Sequence, residues 1–127
     1  MTLIDANIII RFLVGDNVEL FEKSKSIFQK IENRQVEVVI LESVLMECFF
    51  VLVKVYKLPK IEVINDLKSI LSLDGVVNYD KIILFETLNI LESQNIDFVD
   101  ALICAKVKLQ GFKVYSFDKD IDKCINK

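Results

Sequence analysis

Short apolar runs set apart by stretches of helical periodicity constrain this chain more than any other feature. Thr2-Leu3-Ile4, Glu37–Leu41, Val76-Val77 after the Asp74-Gly75 turn, and the alternating Phe112–Phe117 read as strands. Between them, Phe21, Phe28 and Ile31 recur at helical spacing across Val18–Glu32. Asn7–Val14 reads as a helix stopped at Gly15-Asp16-Asn17, and Pro59 opens Lys60–Leu71. Ser43–Tyr56 is apolar nearly all round and is expected to be a long buried helix. Lys81–Glu92, Phe98–Leu109 (closed by Gly111) and a short segment from Lys119 complete the helices. Strands that alternate with helices pair in parallel through crossovers. The expected fold is therefore α/β, a three-layer α/β/α sandwich around a central parallel sheet of four to five short strands. At 127 residues without linker, repeat or shift of composition, residues 1–127 read as a single domain.

Such sheets bind ligands at the carboxyl ends of their strands, where chemistry-bearing residues are to be sought. The chain contains no histidine. That removes imidazole acid–base pairs, Ser-His-Asp and Cys-His nucleophiles, and any zinc site that includes histidine. Cys48, Cys104 and Cys124 match no CxxC spacing, and Cys48 and Cys104 stand in apolar runs where a free thiol acts as a small hydrophobe. Their odd, unpatterned count points to a reducing compartment. Asp5 and Arg11 interrupt the first apolar run, which therefore does not read as a signal peptide. No apolar run approaches the ~18 residues of a membrane span. A cytoplasmic protein is expected. The net charge of −3 argues against broad charge-driven binding to duplex DNA, although carboxylates that hold cations reverse the local sign.

Asp5 follows the first strand and can serve either as a helix cap or as a ligand. Glu47 lies in VLMECFFVLV, where burial of a carboxylate demands a partner or a metal. Asp97 suits the N-cap of the DFVDALICA helix, whereas Asp100 is flanked by Val99, Ala101, Leu102 and Ile103. Asp118 ends the last strand, with Ser116 on the same side by the period of two. Asp120 and Asp122, among Lys119 and Lys123, read as a solvated face. Asp5, Glu47, Asp100 and Asp118 together suggest an all-oxygen site, which selects Mg²⁺ or Mn²⁺ and suits phosphodiester chemistry.

LIDANIIIRFL, ESVLMECFFVLVKVY, DFVDALICAK and VYSFDKD, in this order over essentially the whole chain, resemble the PIN-domain family and within it VapC-type toxins. The resemblance places the family's metal-binding acids, and with them catalysis, on Asp5, Glu47, Asp100 and Asp118. Asn7 and Ser116 match the accompanying polar residues, and Asp97 has no counterpart acid. It implies a Mg²⁺/Mn²⁺-dependent endoribonuclease, the toxin of a toxin–antitoxin pair, with RNA as substrate and a small antitoxin as partner. The family's habit of dimerising, and apolar side chains on Val18–Glu32 and Lys60–Leu71 beyond what a short sheet covers, also imply a homodimer. Two other classes compete with this reading. A phospho-accepting signalling domain wants a strand-end aspartate mid-chain and a late strand-end lysine, yet Asp74 precedes its strand and Asp118 holds the late position. A catalytically inactive module would use its acids only to recruit a basic partner, and would bind no Mg²⁺ or Mn²⁺.

Overall fold

A computed structural model of the chain describes residues 1–126. It divides into two compact units, Met1–Tyr79 and Asp80 onward. Among the described residues, no helix is long and apolar enough to cross a membrane.

The first unit is built on a small parallel sheet. β1 (Thr2–Leu3) pairs with β2 (Val38–Val39), Thr2 opposite Val38 and Leu3 opposite Val39. A parallel bridge joins Val38 to Val76, with Val38 N–H donating to Gly75 at 2.8 Å and Val77 N–H to Val38 at 2.9 Å. One step on, the Asn78 side chain replaces a strand: Ile40 N–H donates to its Oδ1 at 2.9 Å, and its amide donates to the Ile40 carbonyl at 2.6 Å. The third expected strand is thus reduced to a bridge and one amide side chain.

Five helical segments follow the strands of this unit. α1 (Ala6–Val14) ends at Gly15, whose φ of 68° supplies the left-handed cap that other residues adopt at a cost. α2 (Val18–Glu32) is capped by Asn17, which accepts from Leu20 N–H at 3.0 Å. Phe12 of α1 stacks on Phe21 and leans on Phe28 of α2, with ring centroids 5.9 and 4.6 Å apart. α3 (Glu42–Phe50) runs into a π-helical stretch, Val51–Val55, where the expected single helix loses its regular hydrogen-bond step. Ser43, Glu47 and Phe50 form an exposed stripe, while Leu45, Cys48 and Leu52 face the core. α4 (Lys60–Leu71) buries Val63, Ile64, Leu67, Ile70 and Leu71.

The second unit is helical. α5 (Lys81–Ser93) packs on α6 (Phe98–Gln110), and α6 on α7 (Lys119–Ile125). Leu84, Leu88, Leu91, Ala101, Cys104 and Ala105 are buried there. α6 ends at Gly111 with φ 71°, as the sequence indicates.

The expected sheet of four to five strands is not present; the described residues form a two-stranded parallel sheet and one bridge. Phe112–Phe117 alternates like a strand, but residues 111–118 are exposed and carry no strand pairing. Alternation records a chain suited to a half-buried ladder, but a ladder needs a neighbouring edge, which local sequence cannot specify.

Gly75 sits where β2 meets the bridge. A Cβ there would fall inside the van der Waals shells of the Ile31 and Val36 carbonyl oxygens, so only glycine fits. Gly75→Ala is expected to destabilise the protein by about 2 kcal/mol, the scale of overpacking a tight site. A lower urea midpoint at unchanged slope would show it, and an unchanged midpoint would contradict this close approach.

Candidate metal centre

In the first unit the carboxylates of interest are Asp5, at the start of α1, and Glu47, on α3. Asp5 has the extended backbone of an N-cap, and Ala6 N–H donates to its Oδ1 at 2.8 Å. A carboxylate has two oxygens with several lone pairs, so capping leaves ligand capacity. Asn7 is exposed in the first turn of α1. Glu47 is exposed as well, which corrects the expectation of a buried carboxylate. Its apolar neighbours in sequence lie on the other side of α3, because a helix turns Leu45, Cys48 and Phe49 away from the stripe that carries Glu47. Cys48 joins α3 to α1: its buried thiol donates to the Ala6 carbonyl at 3.7 Å. Burial, then the negative charges of Glu47 and Asp5, push this thiol up to about 12. Cys48 is therefore inert as a nucleophile, and its thiol feels both carboxylates.

In the second unit the structure gathers three acids. Oxygens of Asp100, Asp118 and Asp120 all lie within 4.8 Å of one another. Asp100 projects, half-buried, from the first turn of α6. Asp118 is the N-cap of α7, with Asp120 N–H donating to its Oδ1 at 2.8 Å. Asp118 N–H donates in turn to Ser116 Oγ at 2.9 Å, so two consecutive side-chain-to-backbone bonds shape the approach to the helix. Ser116 thus holds Asp118 through a turn and not through the shared face of a strand. Asp97 occupies the N-cap of α6 with the extended backbone of that position, though its side chain makes no cap hydrogen bond.

Asp100 feels this crowding. Partial burial first, then the charges of Asp118, Asp97 and Asp120 and a hydrogen bond with Asp118, hold its carboxyl above the usual carboxylate range. Three hard oxygen donors at this separation fit a divalent cation such as Mg²⁺ or Mn²⁺. Asp120 is the residue that sequence reasoning passed over. Its signal was the Asp118-Lys119-Asp120 spacing: a cap and the second residue of the helix it opens lie in one turn, and their carboxylates can meet. Asp122 stays in its expected exposed place, accepting from Asn126 Nδ2 at 3.0 Å.

Cys104 and Cys124 also depart from expectation. They are bonded to each other as a disulfide between α6 and α7, with Cα atoms 6.1 Å apart, while Cys48 is free and buried. Their separation of 20 residues resembles no short motif, because the packing of two helices creates the pair.

A family model described as PIN domain matches residues 2–125. No curated protein and no solved structure matches the chain.

Repulsion in the cluster makes a stability prediction. A carboxyl whose folded-state value is raised binds its proton more tightly folded than unfolded. Its contribution is therefore full below the unfolded value of 3.8 and lost as pH rises through the folded value. Asp100→Asn removes the charge, and at neutral pH the variant without added metal is expected to melt at or above the wild-type temperature. The difference should shrink as pH falls into the carboxylate range. A variant that melts lower at neutral pH would show that Asp100 is a structural cap, not a strained ligand.

Proposed function

The chain belongs to the PIN domain family, and on that footing we propose that it is a Mg²⁺- or Mn²⁺-dependent endoribonuclease, the toxin of a toxin–antitoxin pair. PIN domains are typically nucleases and usually bind divalent metal. The observation that carries the reading is the convergence of Asp100, Asp118 and Asp120, an oxygen-only donor set of the kind phosphodiester hydrolysis uses. In this reading Asp5 and Glu47 are ligands too, at the positions that the family resemblance assigns, and residues 1–127 act as one domain.

When bound, the cation supplies Lewis-acid polarisation of a phosphodiester and a more acidic water. The protein's part is placement. Ser116 Oγ fixes the backbone at Asp118, and the cap bond to Asp120 N–H fixes the Asp118 carboxylate. Asp5 is fixed likewise by Ala6 N–H, while Asn7 lies exposed in the first turn of α1 as a polar contact for substrate. Partial burial and the charges of Asp118, Asp97 and Asp120 raise the proton affinity of Asp100. With no histidine to pass protons to and from a ribose 2′-hydroxyl, hydrolysis by water is the open route. It leaves 5′-phosphate and 3′-hydroxyl ends.

A partner is supported by the first unit. Phe12, Leu13, Phe21, Phe28, Ile70 and Leu73 line a groove of about 530 Å³, with Lys25, Glu32 and Asp66 among its polar lining. Its apolar floor and charged edges suit an amphipathic helix, the form in which a small antitoxin would dock. In this reading the chain is also a homodimer, and light scattering should return a mass above the 14.7 kDa of one chain. A strict monomer at high micromolar concentration would contradict that part.

The enzymatic claim is tested by incubating the purified chain with RNA and sequencing the cleaved ends. Cleavage should need Mn²⁺ or Mg²⁺, stop with EDTA and leave 5′-phosphates. Asp5→Asn, Glu47→Gln, Asp100→Asn and Asp118→Asn should each cost at least ~100-fold, the scale of removing one element of a preorganised electrostatic site. Cyclic-phosphate ends, or Asn variants as fast as wild type, would refute the reading.

A further inference from the structure

α7 is the shortest helix of the second unit. It spans seven residues and buries only Ile121 and Cys124. The segment that leads to it, residues 111–118, is exposed along its whole length, with Tyr115 and Phe117 fully in solvent. Yet two of the three clustered carboxylates, Asp118 and Asp120, ride on the start of this helix, and the third, Asp100, is on α6. The disulfide between Cys104 and Cys124 joins these same two helices. Both cysteines are fully buried.

We propose that the Cys104–Cys124 pair is a reversible redox staple that holds α7 against α6 and thereby sets the affinity of the Asp100–Asp118–Asp120 cluster for a divalent cation. Oxidation closes a loop of 20 residues and removes much of the freedom that α7 would otherwise have. Three repelling carboxylates on two separable helices part when nothing holds the helices together; stapled, they keep the spacing a cation requires.

The reduced state has a place to go. Cys104 Sγ lies 3.8 Å from the Ile121 carbonyl oxygen, an acceptor for the thiol proton once the sulfur is reduced. Exchange with a low-molecular-weight disulfide such as oxidised glutathione balances the step. The S–S bond of that reagent breaks, one bond forms between Cys104 and Cys124, and the two electrons and two protons leave with the reagent as two thiols. Access to the buried sulfurs comes from local opening of the short α7 and its exposed lead-in.

The cation part of this inference rests on the metal reading of the cluster, and the test separates the two. The full chain is prepared oxidised with glutathione disulfide, and reduced then desalted without oxygen. Each form is titrated with Mn²⁺ alone by calorimetry, thiols are counted by alkylation and mass, and RNA cleavage is assayed in parallel. Oxidation should link Cys104 to Cys124, leaving one alkylatable thiol on denaturation. The reduced form should bind Mn²⁺ about tenfold more weakly, within the usual range of coupling between sites. Cys124→Ala and Cys104→Ser should both bind like the reduced form and ignore oxidant. Three alkylatable thiols after oxidation, or equal Mn²⁺ affinities in the two states, overturns the proposal. If no RNA is cut in either state while Mn²⁺ affinity still follows the thiols, the staple stands and the nuclease reading falls.

Discussion

The side-chain-to-backbone bond at a helix N-terminus is the interaction on which this structure's chemistry depends. The first amides of a helix have no partner inside it, and an aspartate at the cap supplies one. Asp5 does this for α1 and Asp118 for α7. The bond does two things at once: it ends the preceding irregular chain at a defined residue, and it immobilises a carboxylate beside the positive end of the helix dipole. An exposed aspartate on a loop would sample many rotamers. A capping one is already positioned, and pre-positioned oxygens are what a cation needs.

The cost of that arrangement is electrostatic. At the start of α6 and α7, three carboxylates approach within 4.8 Å, and Asp100, through partial burial and then its neighbours' charges, holds its proton more tightly. Helix dipoles offset part of the repulsion, and the disulfide between the two helices resists the rest by keeping them together. In the first unit the strain lands on a different group. Glu47 and Asp5 together raise the Cys48 thiol, whose burial already disfavours the thiolate.

Helices were legible in the sequence because their signals are local. α2 and α4 keep the boundaries their periodicity and caps indicate, and Gly111 closes α6 where its left-handed backbone is required. The strands were over-read. Two-residue pairings and an asparagine that imitates a ladder leave almost no local trace, while Phe112–Phe117 alternates without pairing. Glu47 misled for a related reason: apolar neighbours along the chain were taken for neighbours in space, but α3 turns them to its other side. Asp5 and Asp118 stand out at the ends of short strand-like runs, and Asp100 by its apolar flanks. Asp120 and the Cys104–Cys124 pair do not, since both depend on how α6 meets α7.

The central claim is that these carboxylates are metal ligands and not merely caps or solvated charge. Thermal melting with and without Mn²⁺ tests it most directly, because a ligand that binds only the folded state raises its melting temperature by mass action. The account requires a rise that grows with Mn²⁺ concentration in the wild-type chain and disappears in Asp100→Asn. A wild-type melting temperature indifferent to Mn²⁺, or an equal rise in the variant, would contradict it.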